Sequence, residues 1–149
     1  MGLTYEEFSI DQTWTTQART VSEGDVMLFC GLSGDFNPLH SDEEYCKTTN
    51  FGRRIAHGPL GLAMAIGLMS QLNLINYTAM GLLNVNWDFK GPVMLGDTIH
   101  ARVTTTAMRP TRAGNGIVTL HLEVINQKGA VVQDGTVTLM MKSGQAPTA

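Results

Sequence analysis

The sequence predicts a single α+β domain in which an antiparallel β-sheet wraps around one long, buried helix. The first observation is the run Pro59–Leu72, which has the length of a helix and is apolar on almost every side. The second is a series of later segments in which apolar and polar residues alternate, as in strands. The third is the length of 149 residues, which corresponds to one domain. A sheet with one apolar face needs a cover, and this helix is the predicted element apolar enough to provide it.

Composition and charge exclude several classes of protein. Hydrophobic residues make up 43% and charged residues only 15%, which argues against a disordered chain. The net charge is −3 and no basic cluster exceeds Arg53–Arg54, so we expect no nucleic-acid partner. The longest apolar run, Pro59–Met69, is too short for a membrane span. Cys30 and Cys46 form no CxxC pattern, and no secretory signal is visible, so we expect a soluble, cytoplasmic protein.

The first quarter of the chain predicts an arm, a strand and a helix. Residues 1–13 form an N-terminal arm, and the β-branched content of Trp14–Thr20 favours a strand. Ser22 and Asp25 have the spacing of a capping box. The helix that they start is predicted to run to about Leu32.

A shaped, non-helical loop is predicted next. Gly31–His40 has no periodicity, and Pro38 both lacks an amide proton and disfavours the α conformation at Asn37. Ser41–Glu44 resembles a second capping box, which predicts a short helix that ends near Thr48.

The central helix, Pro59–Leu72, carries no polar stripe, so we expect it to be buried on all sides. Pro59 suits the first helical position, where a missing N–H has no cost. Gly61 and Gly67 are poor helix formers, and we expect them to permit close approach of another backbone.

Four strands then follow as a predicted meander. Their alternating residues span 83–89, 99–105, 118–124 and 131–141, with turns at 91–97 and 126–129. Residues 143–149 are predicted to form a frayed tail.

The strongest candidate for chemistry is the segment Asp35–His40. A carboxylate and an imidazole lie five residues apart on one shaped loop, and a pair that shares a water molecule can act as a general base. The alternative is structural: an Asx-turn at Asp35 or Asn37, with His40 capping the next helix.

The second candidate is the start of the central helix. Helix N-termini present free N–H groups, and Gly58 lets an oxygen approach the backbone closely, so its N–H can stabilise an oxyanion. The alternative is that Gly58–Pro59 simply starts a helix. The four histidines have neither a cysteine partner nor i,i+4 spacing, so we predict no metal site.

Taken together, these motifs resemble those of a known family. The runs Ser33–Asp42 and Phe51–Gly58 look like the signature of the MaoC-like, or (R)-specific, enoyl-CoA hydratases. Lys90–Val93 with Gly96–Thr98 resembles a later turn of that family. The resemblance covers roughly residues 20–142 and implies a single hotdog domain over residues 1–149.

The resemblance also implies a reaction. Asp35 and His40 would activate water, and the Gly58 amide would bind the thioester oxygen while water adds to a trans-2-enoyl-CoA. The product would be an (R)-3-hydroxyacyl-CoA, formed or consumed by a hydro-lyase of fatty acid metabolism. Asn37 and His57 would orient the loop, His57 through a hydrogen bond to its backbone.

The substrate and the partner follow from the same expectation. Coenzyme A enters as part of the substrate, with Arg53, Arg54 and Lys90 as candidates for its phosphates, and no other cofactor is expected. A single hotdog sheet leaves an open edge, so we expect a homodimer or a dimer-based oligomer. Two positions depart from the family pattern: Pro59 stands where many members have methionine, and Ala63–Gly67 lacks a serine.

Two alternatives to the hydratase remain open. A hotdog thioesterase generally places its acid elsewhere or on the central helix, and Pro59–Leu72 contains neither Asp nor Glu. A non-catalytic acyl-thioester-binding dimerisation module is disfavoured because Asp35 and His40 are both present.

Overall fold

The computed structural model describes residues 1–144, and residues 145–149 of the expected tail lie outside that range. Six strands form one antiparallel sheet in the order β1-β4-β5-β6-β3, with β2 also paired to β4. The strands are β1 (Thr13–Thr15), β2 (Arg19–Thr20), β3 (Ala79–Phe89), β4 (Thr98–Pro110), β5 (Gly116–Asn126) and β6 (Val131–Met141). The helices are α1 (Glu23–Ser33), α2 (Pro38–Ser41), α3 (Glu43–Lys47) and α4 (Gly58–Gln71), after a 3-10 turn at Tyr5–Glu7.

The sheet order differs from a four-strand meander. β4, β5 and β6 follow one another as hairpin neighbours, but β3 pairs with β6 instead of β4. The segment 91–97, predicted as a turn, is therefore a crossover from β3 to β4. Other segments hold its backbone: Gly96 N–H donates to the Val21 carbonyl, and the Val93 carbonyl accepts from Ala56 N–H, both at 2.8 Å. β3 is consequently an edge strand.

The sheet and α4 enclose the core, as the sequence predicts. Alternate residues of β4 and β5 are fully buried and belong to one cluster with the inner face of α4. His100 and His121 are half-buried on the outer face of the sheet, where the imidazole of His121 lies 3.6 Å from the carboxylate of Asp134. Within the described part of the chain, no helix has the length and hydropathy needed to cross a membrane.

Burial of α4 on all sides is wrong for a single chain. One face is exposed at Ala63 and Gly67, and a Cβ at Gly67 would meet no atom within 4 Å. The close approach expected at Gly61 exists, but it is to a side chain: a Cβ there would lie 2.4 Å from Nε2 of Gln133.

The N-terminal segment packs against the domain. Phe8 is buried, and the N–H groups of Gly2 and Leu3 donate to the carbonyls of Asn76 and Leu74 at 2.7 and 2.9 Å. The strand predicted at Trp14–Thr20 is divided into β1 and β2, which both pair with β4.

The capping box of α1 is confirmed. Ser22 Oγ accepts from the N–H of Asp25 at 3.2 Å, and Asp25 Oδ2 accepts from the N–H of Ser22 at 2.8 Å. The next predicted cap is wrong by one residue, because Asp42, and not Ser41, accepts from the N–H of Tyr45, at 2.9 Å. Ser41 Oγ instead donates to the carbonyl of Phe36.

The expectation of a wholly non-helical loop at 31–40 is also wrong. α1 continues to Ser33, and Pro38 opens the short helix α2. Proline is compatible with the first turn of a helix, since those N–H groups have no intrahelical partner. Asn37 caps α2, because its Oδ1 accepts from the N–H of Leu39 at 3.0 Å.

Candidate active site

The loop between α1 and α2 presents the carboxylate of Asp35. Gly34 ends α1 in the left-handed conformation, with φ of +76°, which reverses the chain. Asp35 Oδ1 then accepts from Asn37 N–H at 3.1 Å, and Asn37 in turn caps α2. Both Asx-type contacts are therefore present, and they hold the loop without engaging Asp35 Oδ2.

His40 turns its second ring nitrogen toward Oδ2 of Asp35, which also lies 3.9 Å from Nε2 of His57. The Nδ1 of His40 lies 2.8 Å from the carbonyl of Ile55, and a carbonyl only accepts, so Nδ1 carries the proton. In the neutral ring, Nε2 then has a lone pair, and it lies 4.0 Å from Asp35 Oδ2. His40 is 9% exposed, whereas the Asp35 side chain is 53% exposed. Two acceptors at this distance can share one water molecule.

His57 forms the floor under this pair. It is 1% exposed, and its Nε2 lies 2.9 Å from the Asp35 carbonyl, so the predicted hydrogen bond from His57 to the loop backbone is confirmed. Its ring stacks on that of His40 with 3.7 Å between centroids. His57 therefore fixes both the backbone that carries Asp35 and the ring plane of His40.

The same three side chains are close enough together to be considered as metal ligands. The donor atoms of Asp35, His40 and His57 lie within 4.8 Å of one another. The imidazole planes are stacked at 28°, however, and a shared ion would have to lie in both planes, because nitrogen lone pairs are in-plane. Nε2 of His57 also carries the proton that it donates to Asp35 O. The geometry suits hydrogen bonding better than coordination.

Gly58 begins α4 directly after His57. The N–H of Gly58 donates to no other residue in the described chain, and Pro59 follows without an N–H. A Cβ at this position would lie 2.9 Å from the Phe89 ring, so the close packing favours glycine. The Gly58 carbonyl accepts from Nε2 of Gln133 at 3.2 Å.

The segment that joins the loop to Gly58 is held on both sides. Ile55 N–H donates to the Leu39 carbonyl at 3.1 Å, and Ala56 N–H donates to the Val93 carbonyl at 2.8 Å. This clamp keeps His57 and Gly58 beside the loop that carries the acid and the base.

A cavity of 340 Å³ opens beside Gly58. Its walls are mostly apolar, and neither Asp35 nor His40 lines it. The lining residues are Phe51, Ile55, Ala56, Gly58, Phe89, Lys90, Gly91, Pro92, Val93 and Gln133.

The three cations proposed for coenzyme A have different surroundings. The Arg54 guanidinium binds Glu23 at 2.6 Å and Glu43 at 3.0 Å, which raises the pKa of Arg54 and lowers that of Glu23. Arg53 donates to the carbonyl of Leu95. Lys90 lines the cavity and binds Asp134 at 2.7 Å, a hydrogen bond that raises the pKa of Lys90.

Arg54 consequently braces the site. Glu23 is in the first turn of α1 and Glu43 is in the first turn of α3, so one side chain ties together two helices between which the Asp35 loop and α2 lie in the chain. The sequence motifs did not indicate this contact, nor the one between Gln133 and Gly58. The alternation of β6 could have indicated that Gln133 faces the core, because Gln133 is separated by an even number of residues from the inward-facing Val137 and Leu139.

Comparison with known proteins places these features in a family. The model of the MaoC like domain matches residues 7–127. An (R)-specific enoyl-CoA hydratase from Rhodospirillum rubrum is 40% identical over 126 residues, which cover 83% of this chain and 82% of that protein.

Solved structures agree over nearly the full length. A monoamine oxidase regulatory protein from Archaeoglobus fulgius is 32% identical with a TM-score of 0.91, covering 97% of both chains. The unliganded R-hydratase PhaJ1 from Pseudomonas aeruginosa is 28% identical with a TM-score of 0.81, covering 99% of this chain and 96% of that one. The wrapped sheet and central helix form the hotdog fold.

Proposed function

The chain belongs to the MaoC-like domain family, and from that premise we propose that it is a hydro-lyase that adds water to a trans-2-enoyl-CoA to give an (R)-3-hydroxyacyl-CoA, or removes it. The observation that carries the proposal is the pair of acceptors, His40 Nε2 and Asp35 Oδ2, 4.0 Å apart beside the unbonded Gly58 N–H. Hydration needs a base for water and a donor for an oxyanion, and these groups supply both.

The first step uses the acid–base pair. A water molecule that donates to Asp35 and His40 is held with an oxygen lone pair free for the substrate. As one of the two groups takes a proton, the water oxygen bonds to C3, and the π electrons of the double bond move toward the thioester. His40 keeps its orientation because its Nδ1–H remains bonded to Ile55 O.

The second step depends on Gly58. Negative charge develops on the thioester oxygen as the enolate forms, and the Gly58 N–H is placed to bind it at the start of α4, where the helix dipole also favours an anion. Return of a proton to C2 by Asp35 or His40 completes the hydration. The absence of an N–H at Pro59 leaves Gly58 as the donor at the first position of the helix.

The coenzyme A moiety is proposed to follow the cavity past Lys90. Lys90 stays cationic because of Asp134, and its side chain is half exposed, so it can meet a phosphate. Arg53 has donors beyond the one used by Leu95, whereas a phosphate at Arg54 would compete with two carboxylates.

No cofactor besides coenzyme A takes part in the proposed reaction, because hydration is redox-neutral and uses side-chain acids and bases. We expect activity to survive dialysis against a chelator, with kcat equal to that of the untreated enzyme. A loss restored by a divalent metal would contradict this expectation and would assign Asp35, His40 and His57 as ligands.

The free thiols of Cys30 and Cys46 accord with the cytoplasm as the proposed compartment.

The proposed partner is a second copy of the chain, paired along β3. This edge strand has no charged side chain from Ala79 to Trp87, although edge strands of monomers commonly carry charge. Met80, Leu82 and Leu83 are about half exposed. Pairing of two β3 strands would cover them, and the second copy would also cover the open face of α4.

Leu82→Asp is expected to weaken the dimer. An aspartate on the proposed interface loses an apolar contact and buries a charge, so we expect the dimer Kd to rise about 30-fold or more, on the order of 2 kcal/mol. Sedimentation equilibrium measures this change. Ile10→Asp is the matched control, because Ile10 is 51% exposed in the segment before β1, at the other end of the sheet. An unchanged Kd in Leu82→Asp, or an equal rise in the control, would exclude β3 as the interface.

The reaction itself is tested with crotonyl-CoA. We expect loss of the absorbance of the conjugated enoyl thioester and formation of (R)-3-hydroxybutyryl-CoA, identified by chiral analysis. Release of free thiol without hydration would support a thioesterase. Binding without either reaction would support a non-catalytic module. A panel of longer and branched enoyl thioesters then defines the acyl preference.

A further inference from the structure

A buried glutamine of β6 reaches the first turn of α4. We propose that Gln133 is a positioning residue that anchors the Gly58 carbonyl and so keeps the N–H of the same residue facing the reacting thioester. This inference rests on the hydratase function proposed above and adds a residue outside the sequence motifs. Gln133 is 2% exposed and donates from Nε2 to the Gly58 carbonyl at 3.2 Å.

A second hydrogen bond fixes which end of the amide faces Gly58. The Trp87 indole N–H donates to Gln133 Oε1 at 3.0 Å. Because the indole nitrogen only donates, it selects the carbonyl oxygen and leaves Nε2 for the Gly58 carbonyl. Both ends of this buried amide are thereby satisfied, which is the condition for a polar side chain to hold one orientation in a core.

The surrounding glycine and aromatic residues fit this arrangement. Gly61 lies one turn after Gly58, and a Cβ there would be 2.4 Å from Nε2 of Gln133, so the missing side chain makes room for the amide. Gln133 is paired across the strands with Phe89, whose ring lies 2.9 Å from the position of a Gly58 Cβ. The same cross-strand pair thus contacts Gly58 on two sides.

The restraint matters because glycine has the widest backbone freedom of any residue. The Phe89 ring favours glycine at this position, but a mobile residue would make a poor oxyanion donor. The N–H of Gly58 lies in the peptide plane of the His57 carbonyl, which accepts from the N–H groups of Leu60 and Gly61 at 3.1 and 3.3 Å. Gln133 holds the next plane, at the Gly58 carbonyl, so φ and ψ of Gly58 are restrained from both ends. Donors that are held in place before the reaction stabilise developing charge most effectively. Gln133 therefore acts through Gly58 without touching the reacting atoms.

Gln133→Met tests this role, because methionine has a similar length and removes both hydrogen bonds. We expect kcat to fall about 10- to 100-fold, the range associated with a misplaced catalytic donor, while KM stays near the wild-type value. Gln127→Met is the matched control. Gln127 also makes two side-chain hydrogen bonds, to Thr98 and Asp97, at the β5–β6 turn away from α4, and we expect wild-type kcat.

Gln133→Glu separates positioning from simple packing. A protonated carboxyl can donate to the Gly58 carbonyl, whereas a carboxylate can only accept, and burial raises the pKa of a carboxyl group. The ratio of variant to wild-type kcat should therefore rise as the pH falls. Lys90 is the ionisable group among the described residues that line the cavity, and it is present in both proteins.

Wild-type kcat in a folded Gln133→Met variant, or a ratio that is flat with pH, would overturn the proposal. If Gln133→Met does not fold, Trp87→Phe tests the same role by removing only the indole donor, and we expect kcat to fall in this variant as well.

The 1H–15N resonance of Gly58 gives a readout that is independent of activity. We expect Gln133→Met to shift or broaden this resonance more than that of Gly67. If the wild type hydrates no enoyl thioester but this response occurs, the hydratase fails and the positioning of Gly58 stands. An unchanged Gly58 resonance would overturn the positioning itself.

Discussion

We expect Asp35→Asn and His40→Gln each to lower crotonyl-CoA hydration by about 10²- to 10⁴-fold, the contribution of a general acid–base group. Asparagine cannot take a proton from water, and glutamine offers no basic nitrogen in place of His40 Nε2. Because the two groups share one water molecule, the double variant should lose little more activity than either single variant. Steady-state kcat/KM with crotonyl-CoA measures all three.

Both substitutions should leave the fold intact, for reasons visible in the loop. An asparagine Oδ1 can still accept from the N–H of Asn37, and a glutamine amide can still donate to the carbonyl of Ile55. Asp88→Asn and His100→Gln are the matched controls. They make the same chemical changes on strands of the sheet, outside the Asp35–His40 segment, and should keep wild-type activity. Normal hydration by both Asp35→Asn and His40→Gln, with unchanged circular dichroism, would mean that the acid–base assignment is wrong.

Gly135→Ala should destabilise the domain by about 3 kcal/mol, at the upper end of the usual cost of overpacking. A Cβ at Gly135 would lie 2.1 Å from the backbone oxygen of Asn86 and 2.7 Å from the Trp87 ring. Backbone atoms of a paired strand cannot move aside as a flexible side chain can, so β3 must separate locally from β6. Urea denaturation monitored by circular dichroism measures the free energy of unfolding.

Gly31→Ala is the control for this change. Gly31 is in the last turn of α1 and is exposed, and a Cβ there would meet no atom within 4 Å, so alanine should stabilise the helix by up to about 1 kcal/mol. Equal unfolding free energies for Gly135→Ala and the wild type would show that β3 tolerates displacement from β6. We also expect Gly135→Ala to reduce kcat, because Trp87 and Phe89 on β3 hold Gln133 and Gly58.

Local chemistry made several elements predictable. The alternation of β4 and β5 predicted their buried faces, and the capping box at Ser22 predicted the start of α1. The prediction of Ser41 as the next N-cap is wrong. Ser41 and Asp42 are consecutive polar residues that can both cap a helix, and Asp42 is the one that caps α3. Pro38 keeps Asn37 out of the α conformation as expected, with φ of −51° and ψ of 136° at Asn37. The expectation that no helix lies between Pro38 and His40 is wrong, because the sequence does not distinguish a proline that ends a helix from one at its first position, as in α2.

Pairing of strands and approach of distant side chains could not be predicted in this way. β3 pairs with β6, and the crossover at 91–97 is tied to Val21 and Ala56, so both sets of contacts join segments far apart in the chain. The partner of Gly61 is Gln133 for the same reason. In the sequence, Arg54 is a candidate phosphate ligand because it is a cation next to a second arginine. Only the folded chain shows that Glu23 and Glu43 bind its guanidinium.

Residue type and short-range spacing predict the central apolar helix, the alternating strands and the segment that carries Asp35, His40 and Gly58. The orientation of each group depends on the tertiary structure. It places the proton of His40 on Nδ1 through Ile55, layers His57 beneath that ring, and sets Gln133 against Gly58. A hydrogen bond between residues distant in sequence depends on how the sheet closes around α4, and that closure is a property of the whole chain.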